Sequence, residues 1–177
     1  AAQKESYRED PRHIVIHAQT LRVDQMDRML ELGITPSFFS AHTYYWGDRH
    51  RDLFLGEERA SRISPAKTAL NKGLRFSTHL DAPVVPMDPM LMVWSTVNRL
   101  TSSGKVLGES EKISVMQALR ATTIDAAWQI FKEDSLGSIE EGKLADLVAV
   151  EGNPLENIEL MTDVKFVMKD GVVYKNQ

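Results

Sequence analysis

Short apolar segments alternate with helix-like segments along the first two thirds of this chain, and this alternation most constrains its fold. Glycines at Gly33 and Gly73 follow two of the helix-like segments, where a left-handed C-terminal residue is expected. The predicted strands are residues 13–17, 34–39 and 74–80, and the predicted helices are residues 23–32, 64–70 and 89–100. Such alternation predicts an α/β fold in which helices cover a parallel sheet.

Polar side chains follow the ends of these predicted strands. His17 ends the first strand, His42 follows the second, and Asp81 follows the third. Right-handed crossovers place the C-terminal ends of parallel strands at one edge of the sheet. Ligand sites of α/β folds lie at this edge. We therefore expect these three side chains to lie close together.

Each residue also has a simpler interpretation. A histidine that ends an apolar strand is more often a hydrogen-bonded core residue than a metal ligand, and Asp81 before Ala-Pro is most often a turn former. Residues 40–50 are aromatic with poor helical periodicity, so we predict a functional loop in which Trp46 contacts substrate. His42 either contacts substrate or only covers the site. His79 shares the strand face of Asp81 and either packs beside it or reaches the pocket.

The composition limits the available chemistry. The 177 residues include no cysteine, so a metal ion would be held by His, Asp or Glu. A formal net charge of -4, without dense basic clusters, argues against a nucleic-acid partner. No apolar run is long enough for a membrane helix, and no segment resembles a signal peptide. We expect a cytoplasmic protein with a small-molecule substrate, in which His13 and His50 belong to the polar surface.

The pattern changes after about residue 134. Residues 147–150 and 164–168 are predicted strands, and Asp170-Gly171 supplies the positive φ values of a tight hairpin turn. We therefore divide the chain into an α/β part, residues 1–134, and a mostly β part, residues 135–177. Residues 1–10 have no initiator Met and resemble the end of a helix, so we expect a truncated chain; a processed or tagged terminus is the alternative.

Motifs then occur in a fixed order. They are Arg12-His-Ile-Val-Ile-His17-Ala-Gln, Asp81-Ala-Pro-Val-x-Pro-x-Asp-Pro89, Ile113-Ser-x-x-x-Ala118-Leu-Arg-Ala-Thr122, and Gly137-Ser-Ile-Glu-x-Gly-Lys-Leu-Ala-Asp146-Leu. Together they resemble the C-terminal portion of a metal-dependent amidohydrolase of the amidohydrolase-3 type. This group includes deformylase-like enzymes and proteins named as exoenzyme regulators.

The resemblance implies the last three strand-helix units of a TIM (β/α)8 barrel, followed by part of a small β-sandwich. It implies that His17 is a metal ligand, and that Asp81 binds the metal or its water and takes a proton from the attacking water. It gives His42 a position that contacts substrate or polarises its carbonyl group, beside the substrate-binding positions that the sequence pattern gives Trp46 and His79. The implied cofactor is a divalent metal, zinc, as one or two ions in the parent protein, which agrees with the imidazole and carboxylate donors.

The ligands that this family takes from its earlier strands have no counterpart here, and such a barrel needs about 250 residues. We therefore expect a fragment without hydrolase activity of its own. Two functions remain open. One is the C-terminal part of a metal-dependent hydrolase of non-peptide carbon-nitrogen bonds, and the other is a non-catalytic regulatory or scaffold protein. An incomplete barrel exposes apolar sheet edges, so a homo-oligomer is also expected.

Overall fold

A computed structural model describes residues 9–144, 147–169 and 172–177. None of the helices in these ranges is both long and apolar enough to cross a membrane. In chain order the elements are β1 (Ile14–His17), α1 (Val23–Leu32), β2 (Thr35–Phe38), α2 (His42–Arg49), α3 (Gly56–Ala60), α4 (Ala66–Asn71), β3 (Ser77–Thr78), α5 (Pro89–Asn98), α6 (Val115–Thr122), α7 (Ile124–Gln129), β4 (Leu147–Val150), β5 (Val164–Lys169) and β6 (Val172–Asn176).

Strands β1, β2 and β3 form a parallel sheet in that order, and helices connect them. Ile14 pairs with Thr35, and Ser37 pairs with Ser77. The predicted parallel α/β sheet is therefore confirmed. Strand β3 is shorter than the predicted 74–80, because only Ser77 and Thr78 pair with β2.

A hydrophobic core fixes the helices against this sheet. Its buried side chains come from α1, α4, α5 and α6, from the segments around β2 and β3, and from the residues just before α6. They are Met26, Met29, Phe38, Ala66, Ala69, Leu74, Phe76, Val93, Ile113, Ala118 and Ala121. Burial of apolar surface is the dominant favourable term in folding. This core therefore holds the C-terminal ends of the strands in fixed positions.

Local hydrogen bonds and one left-handed glycine define the helix ends. The side chain of Asp88 accepts a hydrogen bond from the backbone N–H of Leu91 at the start of α5. Ser114 and Gln117 form a reciprocal capping box at the start of α6. Gly33 ends α1 with a φ of 62°. The end of α1 at Gly33 was correctly predicted, because helix ends depend on residues close in sequence.

The predicted loop at residues 40–50 is wrong, because most of it is helix α2, which continues as a π-helical segment, His50–Leu55. The face of α2 that packs most closely carries small residues. Thr43 and Gly47 are buried there, and a Cβ on Gly47 would lie 2.7 Å from the Cγ2 atom of Thr101. Close packing through small residues leaves no apolar stripe in the sequence, so helical periodicity is weak.

The C-terminal part forms a separate antiparallel sheet in the order β4-β5-β6. Pairing of β5 with β6 confirms the predicted hairpin strands. The predicted turn at residues 170–171 lies outside the described residues, as do Asp146 and residues 1–8. The division of the chain at residue 134 stays a prediction.

Candidate metal centre

His17, His79 and Asp81 meet at the C-terminal edge of the parallel sheet. One ligand atom from each lies within 4.8 Å of the others. His17 ends β1, whereas His79 directly follows β3. His17 and Asp81 have positive φ values of 66° and 58°. Strained backbone of this kind persists where the surrounding structure enforces it, and it is concentrated at functional sites.

The side chains of His17 and Asp81 face each other and remain open to solvent. The Nε2 atom of His17 lies 3.8 Å from Oδ2 of Asp81, and the side chains are 44% and 40% exposed. This distance is too long for a hydrogen bond. Zinc binds imidazole nitrogen and carboxylate oxygen at about 2.0 to 2.2 Å, so both atoms can contact one ion. The donor set and its spacing therefore fit a divalent metal.

Both ring nitrogens of His79 have partners within the protein. Nδ1 lies 2.8 Å from Oγ of Ser37, and Nε2 lies 3.0 Å from Nδ1 of His17. Burial lowers the pKa of His79, and the neighbouring His17 lowers it further, while Asp81 acts in the opposite direction. His79 therefore contacts Nδ1 of His17, the His17 nitrogen that does not face Asp81.

A buried polar chain continues from Ser37 into the protein. Oγ of Ser37 lies 2.9 Å from Oγ of Ser77, which in turn contacts Oε1 of Gln129. Nε2 of Gln129 donates to Oγ1 of Thr35 at 2.9 Å and to the carbonyl oxygen of Pro36 at 3.0 Å. Sequence reasoning missed Ser37, Ser77 and Gln129. The available signal was a single amide side chain at the end of the mostly apolar α7 segment. An amide buried with such a segment requires hydrogen-bond partners.

His42 begins α2 and is paired with a second histidine. Its Nδ1 lies 2.8 Å from Nε2 of His50. The pKa of His42 is lowered to about 4, chiefly by burial and further by His50 and His17. Assignment of His50 to the polar surface is therefore wrong. Its ring bonds to His42, and its buried Nδ1 has no partner among the described residues.

Phe39, which directly follows β2, connects the two histidine pairs. Its ring centroid lies 5.7 Å from that of His17 and 5.5 Å from that of His79. It also lies 5.3 Å from His42 and 6.0 Å from Trp46. The structure thus brings the five residues selected from the sequence to one place, since Asp81 faces His17. Phe39 itself was missed, because an apolar residue beside a strand resembles ordinary core.

A family profile and two sequence relatives relate this chain to amidohydrolases. The profile of the Amidohydrolase family matches residues 1–174. The Bacillus subtilis protein YtcJ, named as an amidohydrolase, is 31% identical over 172 residues, which are 91% of this chain and 32% of YtcJ. An N-substituted formamide deformylase from Arthrobacter pascens is 30% identical over 141 residues, which are 79% of this chain and 26% of that enzyme.

A solved structure extends this similarity to the fold. A Xaa-Pro dipeptidase with bound methionine in its active site matches with a TM-score of 0.65 and 26% identity, over 93% of this chain and 40% of that chain. The chain spans only 32% and 26% of the two sequence relatives above. Because the family profile matches nearly its whole length, the chain belongs to the amidohydrolase family, in its amidohydrolase-3 type.

Proposed function

We propose that this chain is the C-terminal part of a metal-dependent hydrolase that cleaves carbon-nitrogen bonds of non-peptide amides. The observation that carries this proposal is the approach of His17 Nε2 and Asp81 Oδ2 to 3.8 Å at the ends of parallel strands. In this proposal the β1–β3 sheet and its helices are the last three strand-helix units of a TIM barrel. Strands β4–β6 form part of a small β-sandwich.

His17 and Asp81 would hold the metal ion, for which zinc suits the donors. Bound zinc supplies a lowered water pKa and a Lewis acid for the amide carbonyl. Asp81 carries the proton transfer, because its exposed carboxylate can accept a proton from the attacking water. His79 is excluded as a ligand while its Nε2 bonds to His17. It therefore supports His17 and does not itself bind the metal or the substrate.

His42 would donate a hydrogen bond to the substrate. If His42 donated to His50, the hydrogen of neutral His50 would be on its buried, unpartnered Nδ1. Orphaned buried N–H groups are rare in native structures. His50 therefore donates through Nε2 to Nδ1 of His42, and the remaining hydrogen of His42 is on its Nε2. A neutral imidazole N–H of this kind can stabilise negative charge on an amide oxygen.

The aromatic side of the site indicates the kind of substrate. Trp46 lies 4.5 Å from His42, ring centroid to ring centroid, and packs with Phe39. These rings give one apolar wall beside the polar groups, as expected for a small molecule with an apolar substituent. The deformylase relative acts on N-substituted formamides by its name. We therefore propose N-substituted formamides and related small amides as the substrate class.

Replacement of Asp81 tests this function in the longer protein that the proposal requires. We expect Asp81→Asn to lower amide turnover by about 10²- to 10⁴-fold, the usual contribution of a general base. The measurement is release of amine from a panel of N-substituted formamides. Asp88→Asn is the matched control, because asparagine also caps α5 and Asp88 lies outside the site.

Unchanged turnover in Asp81→Asn would remove Asp81 from the mechanism. Absence of turnover in the wild-type longer protein, with every amide of the panel, would instead favour the regulatory or scaffold function. We expect the 177-residue chain alone to show no turnover, because His17 and Asp81 supply only part of a zinc coordination sphere.

A further inference from the structure

The buried hydrogen-bond chain behind His17 has only one consistent arrangement of its hydrogen atoms when both histidines are neutral. It begins at Gln129, a buried residue whose exposed fraction is 5%. The carbonyl oxygen of Pro36 can only accept, so the group 3.0 Å away must be the amide nitrogen of Gln129. Oε1 of Gln129 consequently faces Ser77 as an acceptor. This contact fixes the direction of every bond that follows.

The hydroxyl of Ser77 carries one hydrogen, and Gln129 takes it. The 2.9 Å contact between Ser77 and Ser37 then needs a hydrogen from Ser37. With that hydrogen committed, the hydroxyl of Ser37 can only accept from His79. The Nδ1 atom of His79, 2.8 Å away, must therefore carry the ring hydrogen.

His79 passes the same constraint to His17. A neutral His79 ring carries one hydrogen, which the contact with Ser37 places on Nδ1, so its Nε2 is an acceptor. The 3.0 Å contact with His17 then requires a hydrogen on Nδ1 of His17. Neutral His17 is left with a lone pair on Nε2, the atom that faces Asp81. A metal ligand needs this lone pair.

We propose that Gln129, Ser77, Ser37 and His79 form a one-way hydrogen-bond chain that fixes the tautomer of His17 and presents its Nε2 lone pair to the metal. This inference rests on the proposed function for the role of the metal. Gln129 and Ser77 are positioning residues, because they act on the metal centre only through other side chains. Outer partners of ligating histidines commonly set the tautomer and orientation of the ring.

Other arrangements of this chain leave a contact without a hydrogen. If Ser37 donated to His79, two hydroxyl oxygens would lie 2.9 Å apart with no hydrogen between them, since Gln129 holds the hydrogen of Ser77. If Ser77 donated to Ser37, the contact between Ser77 and Gln129 would become the unfavourable one. Both arrangements place unpaired acceptors in a buried region, which is costly.

The test reads tautomers directly in the metal-free 177-residue chain labelled with ¹⁵N-histidine. Two-bond ¹⁵N–¹H correlation spectra distinguish protonated from unprotonated ring nitrogens. We expect protonated Nδ1 and unprotonated Nε2 in both His17 and His79. Added Zn²⁺ should then shift Nε2 of His17 and leave its Nδ1 protonated. Protonated Nε2 on His17 in the wild-type chain would overturn the proposal without any variant.

Ser77→Ala tests whether the hydrogen-bond chain from Gln129 fixes the tautomer of His17. This change frees the hydrogen of Ser37 to bond with His79, so we expect a mixture of tautomers at His17 and about tenfold weaker Zn²⁺ binding in the same titration. Ser95→Ala is the matched control. Ser95 is also a buried serine, 1% exposed, but its hydroxyl has no partner among the described residues.

We expect wild-type tautomers and wild-type Zn²⁺ affinity in Ser95→Ala. A melting curve shows whether Ser77→Ala is folded. Wild-type tautomers in the folded variant would show that Ser77 does not set the tautomer of His17. Because the tautomers are read without metal or substrate, they are independent of amide hydrolysis. Predicted tautomers without any turnover in the longer protein would therefore count against the proposed function alone.

Discussion

Two histidine pairs contact the same phenylalanine, Phe39, yet they end differently. The pair of His17 and His79 continues through buried hydroxyls to Gln129, where the final donor meets a backbone carbonyl. The pair of His42 and His50 stops at the buried Nδ1 of His50, which has no partner in the part of the chain that the structure describes. The first hydrogen-bond chain is closed, because it ends on paired groups, and the second is open, because it ends on an unpaired nitrogen.

This difference shows that the role of a histidine is set by the far end of its hydrogen-bond chain. A closed chain leaves no choice of tautomer, so His17 presents a lone pair on Nε2. The open pair is most stable with the lone pair of His50 unpaired, so His42 presents an N–H. In the proposed site, side chains of one type thus offer a metal-binding atom and a hydrogen-bond donor in neighbouring positions.

Removal of the closed end should have the largest effect on stability. Gln129→Met breaks the buried hydrogen bonds of this amide to Ser77, Thr35 and Pro36, and each such bond contributes about 0.5 to 1.5 kcal/mol. We expect the free energy of unfolding to fall by about 2 to 4 kcal/mol in urea titrations. His50→Phe should cost less than about 1 kcal/mol, because the bond it breaks ends at an unpaired nitrogen. Equal losses of unfolding free energy in Gln129→Met and His50→Phe would contradict this difference between the two histidine pairs.

Acid should affect stability through the open pair, with a smaller effect. The pKa of His42 is lowered from 6.5 to about 4, so the unfolded chain binds a proton more readily than the folded chain below pH 6.5. The free energy of unfolding therefore decreases as the pH falls from 6.5 toward 4. We expect His42→Gln to lose less stability than wild type over this interval, measured by urea titration.

His13→Gln is the control for this pH dependence, because His13 is exposed. It should retain the wild-type loss of stability with acid. An identical decrease in His42→Gln and His13→Gln would show that His42 is not held neutral by its surroundings.

Local sequence signals predicted much of the fold. The order of strands and helices and the caps at Asp88 and Ser114 follow from residues near one another in sequence. The position of the site followed from topology, because parallel strands end at one edge. His17, His42 and Asp81 could therefore be placed together from the sequence, although their roles remain proposals.

Long-range packing accounts for what the sequence did not predict. Helix α2 was taken for a loop because Gly47 packs against Thr101, which is distant in sequence. His50 was assigned to the surface because its bond to His42 exists only in that helical conformation. Gln129 bonds to residues 35 and 36 and to Ser77, which all lie more than 50 positions away in the sequence. Such contacts leave no local pattern.

The central claim is that His17 and Asp81 hold the metal while the other histidines do not. An anomalous difference map, recorded at the zinc absorption edge from crystals of the chain soaked in Zn²⁺, tests it most directly. We predict a peak in contact with Nε2 of His17 and a carboxylate oxygen of Asp81, with His79 still bonded to Nδ1 of His17. A peak at His42 and His50, or one bound through Nδ1 of His17, would contradict the account.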